Sequence, residues 1–192
     1  MTENAIVKMA TKIRNKVGTS RTFTLPEIAT LMTVPDNFPD FWPSTTLKVN
    51  GVTQQGGSSL TVHGGETISF TLSYIIHHAG LLQKLIGSNA HLYLSIPVIK
   101  YMDTDFSQKA TAQTIHILKK DGSNLLNSVS IAAGSTQYAY TTLQLNQPLS
   151  NEIVSYLTTN QPIEVRYDNI ASHDNLDLLT SVVLNILLFN YV

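Results

Sequence analysis

The sequence predicts a mainly β protein, an antiparallel β-sandwich or jelly roll preceded by two short α-helices. Three observations carry that expectation. After residue 44, several runs alternate polar and apolar residues. The clearest is Glu66–Tyr74, where Ile68, Phe70, Leu72 and Tyr74 interleave with Thr67, Ser69, Thr71 and Ser73. A strand with one face on a core has this period of two. Turn signals separate the runs, among them Asn50-Gly51, Gly64-Gly65 and Asp121-Gly122, as hairpins require. The third observation is composition. Charged residues are 13% of the chain, about half the roughly 25% of ordinary soluble domains, while 62 of the 192 residues are Ser, Thr, Asn or Gln. Neutral polar residues suit the outer faces of sheets. A hydrophobic share of 43% is too high for a disordered chain.

Residues 1–34 form the predicted helical attachment segment. Ile6, Met9, Ile13 and Val17 recur at spacings of three and four, which puts them in one stripe of a helix. Lys8, Lys12 and Lys16 fall on a neighbouring face, and Gly18 stands where a left-handed C-terminal residue is wanted. Thr24-Leu25-Pro26-Glu27 opens a second helix. Thr24 caps the amide three residues on, Glu27 reaches back, and Pro26 sits in the first turn where its missing N–H does no harm. Ile28, Leu31 and Met32 supply the apolar face, and Val34-Pro35 ends the helix. These two stripes are the expected interface residues. Residues 35–43, PDNFPDFWP, hold three of the seven prolines and the single tryptophan, Trp42, and read as a stiff linker.

A β domain follows over residues 44–192. Strands are expected at Thr46–Val49, Leu60–Val62, Glu66–Tyr74, Ala90–Tyr101, Thr111–Leu118, Asn124–Ala132, Tyr138–Leu145 and Ile163–Asp168, with short helices at Ala79–Ile86 and Asn151–Leu157. Pro97 inside the Ala90–Tyr101 run argues for an edge or a bulge. The last run, Leu176–Val192, is apolar on both faces, as in a strand central in a sandwich or buried in an assembly. Helices do not alternate regularly with the strands, which excludes a parallel α/β architecture.

Motifs for chemistry are sparse. Cysteine is absent, so no disulfide frame or thiolate metal site exists. The net charge of −1 divides into +4 over residues 1–21 and −5 over the remainder. The acidic remainder opposes a polyanion, so the basic helix reads as a solvated face and nucleic acid is not an expected partner. No apolar run reaches the roughly 18 residues of a membrane helix, and the N-terminus lacks the apolar block of a secretory signal. Asp103 and Asp105 flank Thr104, but calcium needs about six oxygens and only these two carboxylates are local. His77 and His78 would face opposite sides of a strand and could not chelate together. His173-Asp174 lacks a nucleophile elbow to complete it. Gly56-Gly57 and Gly64-Gly65 lack the spacing of a phosphate loop. No catalytic residue, cofactor or metal is expected, and the chain reads as a non-enzyme. Tyr138 and Tyr140 are two apart and share one strand face; with Trp42 they are the expected saccharide contacts.

Within the helical segment, the pattern Ile13-Arg14, Lys16, Gly18-Thr19, then Phe23-Thr24 and Glu27-Ile28 resembles a segment recurring in structural proteins of tailed bacteriophages and prophages. It departs from that segment at Asn15 and Val17, and no likeness extends to the β domain. The resemblance implies an attachment module of a tail, baseplate or receptor-binding protein, followed by a β-rich virion domain. It implies a place in the virion, with other virion proteins and a homo-oligomer (a trimer among the options) as partners, together with a host cell-wall saccharide. No membrane insertion is implied. The rival expectation is a carbohydrate-binding module recognising a cell-surface saccharide.

Overall fold

The computed structural model describes residues 44–54, 59–76, 79–87, 90–135, 143–171, 176–179 and 183–187. The segment 1–34 and the linker 35–43 lie outside them. The described chain is mainly β, and every strand pairing in it is antiparallel. In order the strands are β1 (Ser44–Val49), β2 (Val52–Thr53), β3 (Ser59–Val62), β4 (Ile68–Ser73), β5 (His91–Ile96), β6 (Lys100–Met102), β7 (Gln108–Ala110), β8 (Gln113–Leu118), β9 (Asn124–Ile131), β10 (Leu143–Pro148), β11 (Ile163–Asp168), β12 (Leu176–Leu179) and β13 (Val183–Leu187). Helix α1 (Ala79–Lys84) joins β4 to β5, and α2 (Asn151–Leu157) joins β10 to β11.

Among the described residues these strands form a six-stranded sheet, β2-β1-β4-β11-β8-β9, a three-stranded sheet, β10-β5-β13, and a four-stranded sheet, β3-β12-β6-β7. One core lies between their inward faces. Ile68, Phe70 and Leu72 of β4 and Ile163, Val165 and Tyr167 of β11 meet Leu92, Leu94 and Ile96 of β5, all of them fully buried. The period-two patterns decide this: each apolar residue of β4, β5 and β11 points inward and its polar neighbours outward. Both helices close the same end of the core, because Leu72 pairs with Ile163 and His91 pairs with Pro148 at the strand ends they connect. Leu82 of α1 and Ile153, Val154 and Leu157 of α2 are buried there. Ser150 caps α2 by accepting the Ile153 amide at 3.2 Å. Beyond its last turn Asn160, left-handed at φ +54, accepts the Ile76 amide at 2.7 Å.

The expected turns at Asn50-Gly51 and Asp121-Gly122 close the β1–β2 and β8–β9 hairpins, with positive φ at Asn50, Gly51 and Gly122. Two long runs differ from the sequence reading. The Ala90–Tyr101 run divides at Pro97 into β5 and β6, which belong to different sheets. Buried Gln113 repairs the break: its Oε1 accepts the Ile99 amide at 3.1 Å, and its Nε2 donates to the carbonyls of Ile99 and Thr111, both at 3.0 Å. The C-terminal run also divides, into β12 and β13. Among the described residues β12 lies between β3 and β6, and β13 pairs with β5. Alternation reports which way a side chain faces, and it carries no signal for which sheet a strand joins.

Candidate functional site

The seven expected interface residues, Ile6, Met9, Ile13, Val17, Ile28, Leu31 and Met32, and the saccharide candidates Trp42, Tyr138 and Tyr140, all lie outside the described residues. So do His77, His78, His173 and Asp174. The structure instead assembles polar groups that the sequence keeps far apart.

The outer face of the six-stranded sheet carries them. The strand registers place Lys48 beside Ser69, Ser69 beside Arg166, and Arg166 beside His116. This is a cross-strand row at one level of the sheet, each member about 4.8 Å from the next. At its β9 end the register slips: Ile115 faces Val129 but Ile117 faces Leu126, so Asn127 and Ser128 together oppose His116. Such a bulge re-aims a side chain. Here Ser128 Oγ comes to 2.8 Å from His116 Nδ1. On the other side His116 Nε2 lies 3.1 Å from Asp168 Oδ2, and the Arg166 guanidinium holds the same carboxylate with Nε 3.3 Å from Oδ1. Arg166 and Asp168 are each about one-third exposed.

The order Ser128–His116–Asp168 is that of a hydrolytic triad. Acyl transfer, however, also needs donors aimed at a developing oxyanion and a nucleophile exposed at a sharp turn. Ser128 sits within a strand, on the face of a sheet. The arrangement links hydroxyl, imidazole, carboxylate and guanidinium in one series of contacts on the outer face of the sheet. No spacing rule could have found it, because its members come from three strands. The one signal is a histidine between the buried Ile115 and Ile117, at an outward position of β8.

A second feature is the β6–β7 hairpin tip, residues Asp103–Ser107. Its two carboxylates hold an ammonium of their own, since Lys109 Nζ lies 2.5 Å from Asp103 Oδ2 and 3.4 Å from Asp105 Oδ2. Asp103 Oδ1 also accepts the Thr104 amide at 2.7 Å. Hydrogen bonds from Ser107 hold the Asp105 carboxyl down at about 2, and the Lys109 contact lowers that of Asp103. Among the described residues no group of three or more His, Cys, Asp or Glu forms a metal cluster. No helix of the described chain is long and apolar enough to cross a membrane.

No family model matches the sequence, and no curated protein matches it. Among solved structures the chain is similar to a mutant form of Xylanase10C from Cellvibrio japonicus in complex with xylopentaose. The identity is 12%, over 73% of this chain and 26% of that chain, and the TM-score is 0.36. A superposition that loose bears on neither fold nor function.

Proposed function

We propose that this chain is a non-enzymatic structural protein of a bacteriophage particle, placed in the tail or baseplate. In this reading residues 1–34 dock to other virion proteins through the stripes Ile6-Met9-Ile13-Val17 and Ile28-Leu31-Met32, and residues 35–43 are the connector. Residues 44–192 are an antiparallel sandwich that makes subunit contacts or binds the host surface. The observation that carries the reading is the helix–turn–helix pattern from Ile13-Arg14 to Glu27-Ile28. The shared core between the six-stranded and three-stranded sheets supports the sandwich. Mass spectrometry of purified phage particles from a culture carrying this gene tests it. The chain should appear in fixed ratio to the major tail proteins, and its absence from clean particles would overturn the reading.

The second reading is a carbohydrate-binding module, favoured by the Lys48–Ser69–Arg166–His116 row. Trp42, Tyr138 and Tyr140 would supply ring faces for stacking. A glycan array separates the two readings. Binding by the purified chain supports saccharide recognition, whereas incorporation into particles without glycan binding leaves scaffolding alone.

A further inference from the structure

The His116 ring is held at both nitrogens by partners of different kind. Its Nε2 lies 3.1 Å from Asp168 Oδ2. Arg166 binds the same carboxylate, from Nε to Oδ1 at 3.3 Å and from Nη2 to Oδ2 at 3.4 Å. A carboxylate shared with a guanidinium has only lone pairs to offer. Nε2 therefore carries the proton of the neutral ring, and Nδ1 is left as an acceptor. Ser128 Oγ, 2.8 Å from Nδ1, is then the donor of that bond. Its one hydrogen is committed to the ring, so toward solvent the exposed Ser128 offers lone pairs alone.

Protonation of the ring reverses this. Histidinium donates from both nitrogens, and Nε2 keeps its bond to Asp168. Nδ1 now brings a hydrogen to the 2.8 Å contact, so Ser128 accepts there and turns its own hydrogen toward solvent. One proton thus converts an exposed acceptor into an exposed donor and adds a positive charge to the row. The charged groups near the ring are few. β9 and the rest of β8 contribute none. β11 contributes Arg166 and Asp168, with Glu164 further along the same face, and Lys48 ends the row on β1. Asp168 is the group that compensates the added charge. The two states discriminate between ligands. A sugar hydroxyl both donates and accepts and fits either state. A carboxylate only accepts, so it meets lone pairs at Ser128 while the ring is neutral and a hydrogen when it is charged.

We propose that His116 is a specificity-determining residue of this face, which admits uronic-acid saccharides beside neutral ones only when the ring is protonated. The proposal rests on the carbohydrate-binding reading above and names the selectivity of its site. Two measurements on the full chain test it. In two-bond proton–nitrogen spectra at about pH 8, above the range where histidine changes charge, His116 should show a protonated Nε2 and a bare Nδ1. Ser128→Ala should shift that Nδ1 resonance by removing its donor. At about pH 5, below that range, both nitrogens should be protonated. A protonated Nδ1 at the higher pH, an Nδ1 indifferent to Ser128→Ala, or a ring still neutral at the lower pH would each overturn the proposal, whether or not any glycan binds. An array of neutral and uronic-acid oligosaccharides, probed at both pH values, reads the consequence. Binding of the uronic-acid glycans relative to the neutral ones should rise about tenfold or more on acidification, and Ser128→Ala and His116→Gln should each remove the rise. A constant ratio in the wild type, or a rise that survives in both variants, would overturn the role of His116 and leave the carbohydrate reading standing. A chain whose ring titrates as expected but which binds no glycan would overturn the carbohydrate reading and, with it, the ligands named here.

Discussion

Tyr167 packs its ring against Phe70, the centroids 6.1 Å apart, and must still place a phenolic proton in the core. It donates that proton to the Pro97 carbonyl at 2.6 Å, so one hydroxyl ties the six-stranded sheet to the point where β5 ends. Burial pushes the phenol well above its ordinary value, which keeps it a donor. Tyr167→Phe leaves the Pro97 carbonyl orphaned, and the expected loss is about 1–2 kcal/mol, read as a shift in urea midpoint at constant slope. Gln113→Leu removes three bonds and orphans the Ile99 amide and the Thr111 carbonyl, so its loss should be larger, about 2–3 kcal/mol. Phe106→Gly, at an exposed left-handed position with φ +61, runs the other way. It relieves about 1–2 kcal/mol of left-handed crowding and costs about 0.5–1 kcal/mol of glycine freedom, a small net gain. The Asp105 carboxyl has a definite pH window. Its value is lowered in the folded chain to about 2, so its bonds to Ser107 support the turn above the unfolded value near 3.9 and are lost as pH falls through about 2. The Ser107 amide resonance should titrate with that midpoint, and a midpoint near 4 would remove the hydrogen bond from the account. At this scale the sequence is nearly silent: two carboxylates are too few for calcium, but their spacing does not tell that Lys109 stands between them.

Elements were far more legible, because their signals are local. The helix at Asn151–Leu157 and the strand at Ile163–Asp168 stand where the sequence places them, and β4 and β9 lie inside the runs that predict them. Capping explains the first. A seven-residue helix is too short to persist alone, and this one is held by the Ser150 cap at its start and by burial of Ile153, Val154 and Leu157. Lys119 Nζ also meets Glu152 Oε1 at 2.6 Å, and the Lys120 amide donates to Tyr156 Oη at 2.7 Å, which docks α2 onto the β8–β9 turn. Ser150→Ala should cost about 1 kcal/mol and lower the melting temperature by about 2–4 °C. Glu152→Gln removes an ion pair with an exposed partner and should change stability little. An equal effect from both would mean that the surface pair, and not the cap, holds the helix. Strand membership was illegible for a reason already visible at Pro97: leaving one sheet for another takes a few residues of irregular backbone, and the apolar run continues through it.

At the scale of the whole molecule, topology brings together what the chain separates. Ser128, His116 and Asp168 lie on β9, β8 and β11, and the register that seats β8 between the other two is a global property of the sheet. The row they join holds Lys48 and Arg166 with the neighbouring carboxylates of Glu164 and Asp168, so positive and negative groups balance across the face. That balance makes a prediction about ligand class. A polyanion would be held through net positive charge and released steeply as salt rises. A neutral saccharide would be held by donors and acceptors already fixed in place, and its affinity should barely move between low and physiological salt. For a saccharide found on a glycan array, Arg166→Ala should lower affinity about tenfold or more, as expected when a charged hydrogen-bonding partner is removed. Ser128→Ala should cost less, since it removes a neutral hydroxyl whose bond to His116 water can replace. Isothermal titration at two salt concentrations reads both effects. Strong salt dependence with no difference between the variants would place binding elsewhere on the molecule, because only contact through this row makes the loss residue-specific and the field weak.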